Sequence, residues 1–488
     1  MNSLATLYRP SLALLTDLYQ ITMAYGYWQS GTAEREAVFH LFFRKNPFGG
    51  GYALVAGLEP AMDLMENFAF SEDDLAYLAG LRGNDGAPLF DPAFIDFLRA
   101  AEFACDVDAM PEGTPAFPHE PLLRIKGPLW QCQLLETPLL TVINFQTLVA
   151  TKASRIMQVA GNDTVLEFGL RRAQGIDGGL SASRAAYVGG VHATSNVLAG
   201  KLYDIPVRGT HAHSWVMAHD TEMEAFAAYA RAMPNNCVFL VDTYDTLEGV
   251  RKAAEMGRRL RELGHEMIGV RLDSGDLAEL SIQARKILDV AGLPEVKIVA
   301  SNDLNDHSIA DLKARGAQIA IWGVGTKLAT SYDQPALGGV YKLSAIRDAG
   351  GSWEYKVKLS EQLIKVSNPG VLQVRRLFRE GRPVADLLYN EEMDVKSEKL
   401  MNPVERDRWL PLPTHDAHTD LLRPVFRNGK LVAARPSLDH IRNAGKTWLQ
   451  QFPEAIRQLT VETAFPVGLE ENLHALKLRL INAARHGQ

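Results

Sequence analysis

The segment Arg208–Trp215 brings two histidines, a threonine and a serine close together. An imidazole side chain exchanges a proton near neutral pH or accepts a phosphoryl group, and the hydroxyls of Thr210 and Ser214 can bind an anion. An isolated His-x-His pair is also common in solvated loops, so this pattern alone does not decide between chemistry and an ordinary turn. The segment follows Ile205–Val207, which we predict to be a short strand.

Other polar segments follow apolar runs in the same way: Asp242–Asp245, Arg271–Asp276, Ser301–Asp303 and Gly323–Thr326. Arginine forms bidentate hydrogen bonds to phosphate or carboxylate, and aspartate binds magnesium or the diol of a ribose. The Gly-Val-Gly-Thr sequence lets backbone N–H groups approach a phosphate, although it lacks the Lys-Ser/Thr ending of a P-loop. Asp276 is equally suited to capping the helix that follows it.

The elements around these segments alternate between strands and helices. Short, β-branched apolar runs predict buried parallel strands, and helical spacing of apolar residues predicts helices between them. The predicted strands are Cys237–Val241, Met267–Leu272, Val296–Ala300 and Gln318–Trp322, and the predicted helices are Thr246–Leu263, Asp276–Val290 and Asp306–Arg315. Because the carboxyl ends of parallel strands form one face, the polar segments should share one rim.

A further polar group, Leu166–Arg172, ends another apolar run. Phe168 could stack on a flat heteroaromatic ring while Arg171 binds a carboxylate on that ring. A solvated strand end is the alternative interpretation of the same pattern.

Composition excludes several classes of protein. The chain has 488 residues, 47% of them hydrophobic, and a formal net charge of -7 without a long basic run, which argues against nucleic-acid binding. Three cysteines without CxxC spacing argue against a disulfide scaffold or a zinc site. The sequence shows neither a secretory signal pattern nor an apolar run that could cross a bilayer, so we expect a cytoplasmic protein.

Six motifs, in order, resemble the nicotinate phosphoribosyltransferase family: Leu15–Met23, Phe43–Tyr52, Glu167–Arg171, Gly209–Ser214, Gly269–Asp276 and Trp322–Thr326. The resemblance implies the type II phosphoribosyltransferase fold, an irregular, TIM-like α/β barrel with an N-terminal α/β domain completed by C-terminal sequence. It implies an N-terminal domain over 1–138, a barrel over 139–345 and a C-terminal segment over 346–488. It also implies a cytoplasmic homodimer whose active sites are shared between subunits.

The activity implied by this resemblance is ATP-coupled transfer of the phosphoribosyl group of phosphoribosyl diphosphate to nicotinate. Diphosphate and nicotinate mononucleotide are the products, in NAD biosynthesis or salvage, with Mg²⁺ as cofactor and ATP as co-substrate. The implied catalytic residues are His213, as a phosphohistidine, Arg271 and Asp273. Those implied for nicotinate are Tyr19, Phe168, Arg171, Thr210 and Ser214. The residues implied to bind phosphoribosyl diphosphate are Asp242, Gly323, Gly325, Thr326 and Thr330. Asp242 and Asp273 are the residues implied to bind magnesium.

The sequence also allows other assignments. His211 and His219 are weaker candidates for the phosphorylated histidine. A nicotinamide phosphoribosyltransferase is the nearest alternative, but Ser195 stands where that relative has an aspartate that accepts from the amide. Quinolinate phosphoribosyltransferase needs more cations for its second carboxylate. A non-catalytic nucleotide-sensing relative could dispense with His213 and Asp273, which are both present.

Overall fold

A computed structural model describes residues 12–486, which group into two compact units. The terminal unit comprises the described residues up to Leu148 and from Ala336 onward, and the central unit comprises Val149–Pro335. The finer division at 138/139 and 345/346 stays a prediction. None of the described helices combines the length and apolarity needed to cross a bilayer.

The helices of the described residues are, in chain order, α1 (Leu18–Gln29), α2 (Leu58–Glu66), α3 (Glu72–Gly80), α4 (Pro92–Arg99), α5 (Leu129–Leu134), α6 (Glu136–Ala160), α7 (Gly175–Val188), α8 (Val197–Tyr203), α9 (His213–Met217), α10 (Glu222–Ala232), α11 (Thr246–Glu262), α12 (Leu277–Val290), α13 (Asp306–Ala314), α14 (Thr326–Ala329), α15 (Leu438–Gln451), α16 (Glu454–Arg457) and α17 (Glu471–His486). Short 3-10 turns occur at Pro47–Gly49, Leu170–Arg172 and Leu363–Lys365.

The strands are, in chain order, β1 (Glu36–Phe42), β2 (Ala53–Leu54), β3 (Asp106–Ala109), β4 (Pro115–Ala116), β5 (Leu123–Pro128), β6 (Thr164–Glu167), β7 (Ala193–Thr194), β8 (Val238–Leu240), β9 (Gly269–Leu272), β10 (Lys297–Ala300), β11 (Ile321–Val324), β12 (Val340–Arg347), β13 (Glu354–Tyr355), β14 (Leu372–Arg379), β15 (Arg382–Asn390), β16 (Lys399–Met401), β17 (Trp409–Pro411), β18 (Ala417–Asp420), β19 (Arg423–Arg427), β20 (Lys430–Leu431) and β21 (Val467–Leu469).

The terminal unit contains a sheet built from both ends of the sequence. Its strand order is β13-β12-β1-β5-β3-β19-β20. Strand β1 lies between β12 and β5 and is antiparallel to both. Since β12, β13, β19 and β20 come from the later part of the chain, the prediction that C-terminal sequence completes the N-terminal sheet is confirmed. A second sheet of this unit, β17-β16-β21-β15-β14-β18, consists entirely of C-terminal residues.

The central unit contains a parallel sheet in the order β7-β6-β11-β10-β9-β8. Its inner residues are apolar and buried, as expected of parallel strands covered on both faces. The strands predicted at 237–241, 267–272 and 296–300 are confirmed with slightly shorter bounds. The fourth lies later than predicted, because the ladder pairs Ile321–Val324 with β6.

Helices α11, α12 and α13 connect these strands, close to the predicted bounds, and each begins at a polar cap. Asp245 accepts from the backbone N–H of Glu248 at 2.8 Å, and Asn305 accepts from that of Ser308 at 2.8 Å. Asp276 accepts from the N–H groups of Ala278 and Glu279. Helix capping is therefore its role in the structure.

The predicted strand at Ile205–Val207 is wrong in extent. Only Val207 forms a bridge, with Thr194, because Pro206 has no N–H to donate to a ladder. The α/β class is confirmed. In the described residues the strands of the predicted barrel form an open sheet, with β7 and β8 at its edges.

Candidate active site

Arg271, in β9, lies at the centre of a polar cluster at the carboxyl ends of the central strands. Its Nε donates to Ser301 Oγ at 2.8 Å, Nη1 to Thr210 Oγ1 at 2.8 Å and Nη2 to Asp273 Oδ1 at 2.9 Å. Three chain segments, those of Thr210, Arg271–Asp273 and Ser301, therefore meet at one guanidinium, as predicted for a shared rim. Its orientation is fixed before any ligand binds.

Two aspartates extend this cluster toward β8. The backbone N–H of Asp273 and the hydroxyl of Ser274 donate to Asp242 Oδ2 at 2.9 and 2.6 Å. The Asp242 side chain is only 1% exposed. Its other oxygen, Oδ1, has no hydrogen-bond partner among the described residues. A buried carboxylate oxygen without a donor is a point at which a cation or a ligand hydroxyl could bind.

The charge of Asp273 is stabilised by its neighbours. Burial raises the pKa of this carboxyl group, but the hydrogen bond from Ser301 and the charge of Arg271 outweigh burial and lower the pKa below its ordinary value. Asp273 therefore stays ionised at neutral pH, as metal binding or charge stabilisation requires.

The histidines of the Gly209–Ser214 motif have different environments. His211 is buried: its Nε2 accepts from the backbone N–H of Leu240 at 3.3 Å, and burial lowers its pKa. The side chain of His213 is 40% exposed. Its Nδ1 lies 3.1 Å from Thr243 Oγ1, and its Nε2 lies 3.7 Å from Asp273 Oδ2.

His213 Nε2 also lies 4.0 Å from Asp242 Oδ1. His213 is therefore part of the cluster, whereas His211 is part of the core. His219, the other candidate, lies beyond α9, where its Nδ1 is 2.8 Å from the carbonyl oxygen of Trp215.

Phe168 lies beside the cluster, with its ring centroid 5.8 Å from the Arg271 guanidinium carbon. Arg171, on the following 3-10 turn, and Ser214, in α9, have exposed side chains. Neither is held in the hydrogen-bonded group around Arg271. Tyr19 lies on α1 of the terminal unit, where its side chain is 48% exposed.

The glycines of the Gly-Val-Gly-Thr segment accommodate Phe168. A Cβ atom on Gly323 would lie 2.7 Å from Cδ2 of the Phe168 ring. A Cβ atom on Gly325 would lie 3.1 Å from the backbone carbonyl oxygen of Phe168. Thr326 begins the short helix α14, and the hydroxyl of Thr330 donates to the carbonyl of Thr326 at 2.7 Å. These glycines let β6 and β11 approach each other closely at the rim. This packing role is separate from any role in phosphate binding.

Sequence reasoning assigned no role to Ser301, Thr243 or Ser274, although each contacts a predicted site residue. Each directly follows, or lies two residues beyond, the end of an apolar strand run. That position was a usable signal, but serine and threonine are too common in turns for it to stand alone.

Magnesium is the metal implied by the resemblance. Residues 12–486 contain no group of three His, Cys, Asp or Glu side chains arranged to hold a metal ion. Magnesium in enzymes often keeps several waters and binds through one or two carboxylates plus substrate phosphates. The unpartnered, buried Oδ1 of Asp242 fits such a group.

Comparisons with known proteins cover nearly the whole chain. Family models match residues 14–144 (nicotinate phosphoribosyltransferase N-terminal domain), 164–358 (nicotinate phosphoribosyltransferase family) and 372–477 (nicotinate phosphoribosyltransferase C-terminal domain). Nicotinate phosphoribosyltransferase of Bacillus subtilis is 43% identical, over 97% of this chain and 96% of that protein. The Homo sapiens protein of the same name is 37% identical, over 95% of each chain.

The fold is similar to that of solved structures. The crystal structure of human nicotinic acid phosphoribosyltransferase matches with a TM-score of 0.83 and 35% identity, over 95% of this chain and 99% of that one. A nicotinate-nucleotide pyrophosphorylase from Pyrococcus furiosus matches with a TM-score of 0.67 at 22% identity, over 90% and 95% of the chains, which shows similarity of fold alone.

Proposed function

The chain belongs to the nicotinate phosphoribosyltransferase family, and from that premise we propose that it transfers the phosphoribosyl group of phosphoribosyl diphosphate to nicotinate in NAD biosynthesis. A bond forms between the pyridine nitrogen and the ribosyl carbon, and the bond from that carbon to the diphosphate oxygen breaks. The observation that carries this proposal is the hydrogen-bonded cluster around Arg271, which joins three rim segments at a fixed cation.

In this reaction the chain mainly orients reactants and stabilises charge. Arg271 faces the reacting centre, where its fixed guanidinium stabilises negative charge on the departing diphosphate. Asp242 and Asp273 would hold Mg²⁺, which supplies charge neutralisation at the diphosphate. The Gly323–Thr330 segment binds the 5′-phosphate through backbone N–H groups and hydroxyls.

Phe168 stacks on the pyridine ring, and Arg171, whose side chain is exposed, binds the nicotinate carboxylate. Thr210 and Ser214 complete the nicotinate-binding residues. Ser195, directly after β7, adds no negative charge to repel that carboxylate. The site therefore favours the acid over the amide.

ATP acts through His213. Thr243 can bind Nδ1, which leaves Nε2 to form a bond to the γ-phosphorus as the bond to ADP breaks. A phosphoryl group on Nε2 would bring negative charge close to Asp242 and Asp273, from which Nε2 is separated by 4.0 and 3.7 Å. Repulsion would then shift the population of the Thr210–Ser214 loop until water cleaves the N–P bond and phosphate leaves, so ATP hydrolysis is coupled to phosphoribosyl diphosphate binding.

The protein acts as a cytoplasmic homodimer with shared sites. In the terminal unit Leu15, Leu18, Tyr19 and Met23 are exposed apolar side chains, and in the central unit Leu170, Ile176, Val197 and Leu198 are exposed. Exposed apolar groups of this kind are typical of surfaces that a partner covers. Tyr19 would complete the nicotinate site of the neighbouring subunit.

The proposed activity is tested with purified protein, phosphoribosyl diphosphate and Mg²⁺, with nicotinate or nicotinamide, in the presence and absence of ATP. A charge-assisted contact contributes about 1.5–3 kcal/mol, so kcat/KM for nicotinate should exceed that for nicotinamide roughly ten- to a hundredfold. Product identification should give nicotinate mononucleotide, formed faster with ATP. Equal or better use of nicotinamide would contradict the substrate assignment, and no transfer at all would favour a nucleotide-sensing protein.

Ser195→Asp tests the specificity more finely. The added carboxylate should reduce nicotinate use more than nicotinamide use. Val290→Asp, which adds the same charge at the end of α12, where the side chain is 91% exposed, is the matched control and should leave the ratio unchanged.

A further inference from the structure

A buried carboxylate lies behind the rim, in the Glu167–Arg171 motif. Glu167 is the last residue of β6 and is only 1% exposed. Its Oε1 accepts from the backbone N–H of Gly169, and its Oε2 accepts from the hydroxyls of Ser183 at 2.9 Å and Thr194 at 2.6 Å. Each of these neutral donors makes a charge-assisted hydrogen bond to the carboxylate.

Asn196 completes this network and determines which groups in it donate and which accept hydrogen bonds. The Thr194 hydroxyl accepts from the backbone N–H of Asn196 at 2.9 Å, and the Ser183 hydroxyl accepts from the Asn196 side-chain amide at 3.2 Å. A hydroxyl has one hydrogen to donate. Both hydroxyls can therefore accept from Asn196 while donating to Glu167. Ser183 has a second acceptor, the carbonyl oxygen of Gly179 at 3.0 Å, so the Thr194 hydroxyl and the Gly169 N–H are the donors that depend most on an acceptor at position 167.

The network joins two segments that carry predicted nicotinate-binding features. On one side Glu167 directly precedes Phe168, whose backbone N–H donates to the carbonyl of Val324 at 2.8 Å. On the other side Ser195 lies between Thr194 and Asn196, and its backbone N–H donates to the carbonyl of Glu167 at 2.9 Å. One residue thus holds the stacking ring and the position that separates acid from amide substrates.

Close packing at Gly169 allows little adjustment. A Cβ atom there would lie 2.3 Å from the Cβ of Ala329 and 2.9 Å from the carbonyl oxygen of Gly325. Since this backbone cannot move inward, a change at Glu167 must displace Phe168 or the 194–196 segment instead.

We propose that Glu167 is a positioning residue for the pyridine ring, which sets the spacing between Phe168 and Ser195 and thereby nicotinate affinity and the preference for acid over amide. This inference rests on the proposed function. Glu167 itself does not contact the reacting atoms; it acts through the segments that its carboxylate holds.

Two substitutions distinguish the effect of the Glu167 charge from the effect of its side-chain length. Glu167→Gln keeps the size but replaces one acceptor oxygen with an N–H₂ group, which in either orientation of the amide faces a donor, the backbone N–H of Gly169 or the hydroxyl of Thr194. Glu167→Asp keeps the charge but is one methylene shorter. Glu222→Gln is the matched control, because Glu222 is a 3% exposed carboxylate of the same unit that accepts from Lys252 at 3.2 Å.

Steady-state kinetics with each substrate varied provides the test. In Glu167→Gln we expect KM for nicotinate to rise roughly tenfold and the nicotinate-to-nicotinamide ratio of kcat/KM to fall by a similar factor, the order expected when charge-assisted hydrogen bonds are lost. KM for phosphoribosyl diphosphate should stay within about twofold, as expected when binding of the other substrate is unaffected. Glu222→Gln should change none of these quantities selectively.

Calorimetric titration of nicotinate into the same proteins separates binding from turnover. An inactive wild type would overturn the proposed function, whereas an active wild type with unchanged nicotinate affinity in Glu167→Gln would overturn this inference. A parallel loss of affinity for both substrates would also overturn it, because a merely structural role predicts that outcome. If Glu167→Gln fails to fold, Thr194→Val removes one donor and must show the same selective rise in KM for nicotinate.

Discussion

Burial distinguishes the histidines of the Gly209–Ser214 motif, which the sequence places only two positions apart. His211 is held in the core by the backbone N–H of Leu240, whereas His213 presents Nε2 beside two carboxylates. A phosphoryl acceptor must be reached by a nucleotide, and of these two side chains only that of His213 is exposed to that extent.

His213→Asn should abolish acid-labile, base-stable labelling from γ-labelled ATP, because the accepting nitrogen is lost. Slow, ATP-independent nicotinate mononucleotide synthesis should persist at high phosphoribosyl diphosphate. His211→Asn should retain the label but unfold at a lower temperature, since it removes a buried acceptor. Label retained in His213→Asn and lost in His211→Asn or His219→Asn would show that another histidine is the acceptor.

Ser301 links the fixed cation to the ionised carboxylate, so its loss should be visible in a pH profile. Its hydroxyl helps to lower the pKa of Asp273, so in Ser301→Ala that pKa rises and Asp273 is protonated at a higher pH. The acidic limb of kcat/KM should therefore move to higher pH. Losing hydrogen bonds to charged groups, worth about 1.5–3 kcal/mol, should lower kcat/KM roughly ten- to a hundredfold at neutral pH.

Ser281→Ala is the control for that measurement. Ser281 is fully buried in α12 and accepts from the backbone N–H of Gln318 at 3.0 Å, away from the charged cluster. It should lower the melting temperature without moving the acidic limb. An unmoved limb in Ser301→Ala would show that Asp273 does not limit activity at acidic pH.

At the scale of elements, the contact between β6 and β11 determines where Phe168 lies. Gly323 is in the middle of β11, and a side chain there would overlap the Phe168 ring. A glycine in a strand interior usually has such a packing reason.

Gly323→Ala should displace that ring and raise KM for nicotinate, and overpacking should destabilise the protein by about 1–3 kcal/mol. Gly178→Ala in α7, where a Cβ would meet its nearest neighbour at 3.9 Å, should be neutral or stabilising by up to about 1 kcal/mol. Thermal denaturation and nicotinate kinetics of the two variants check this. An unchanged KM in Gly323→Ala would show that Phe168 does not bind the pyridine ring.

At the scale of the whole molecule, a shared active site predicts that defective subunits complement each other. Tyr19→Ala and Asp273→Ala should each be inactive as homodimers. After mixing and reassortment about half of the dimers are mixed, each with one intact site, so about a quarter of wild-type activity should return. A fully active monomer, shown by light scattering at the assay concentration, would contradict the shared site.

The sequence by itself determined the family, the α/β class and most elements of the central unit. Apolar β-branched runs separated by amphipathic helices have one stable arrangement, a parallel sheet with its polar loops at one edge. The resulting strand ends brought Thr210, Asp242, Arg271 and Asp273 into one cluster, which strand order alone could anticipate.

Only the tertiary structure decided which residues support that cluster and how. A solvated strand end was one of two interpretations that the sequence left open for residues 166–172. Glu167 is instead buried, because Ser183 and Thr194, distant in sequence, supply its donors. The role of Ser301 likewise depends on a contact between neighbouring strands. Such partners are set by which segments fold against one another, and the spacing of residues along one chain segment carries no information about donors that arrive from another.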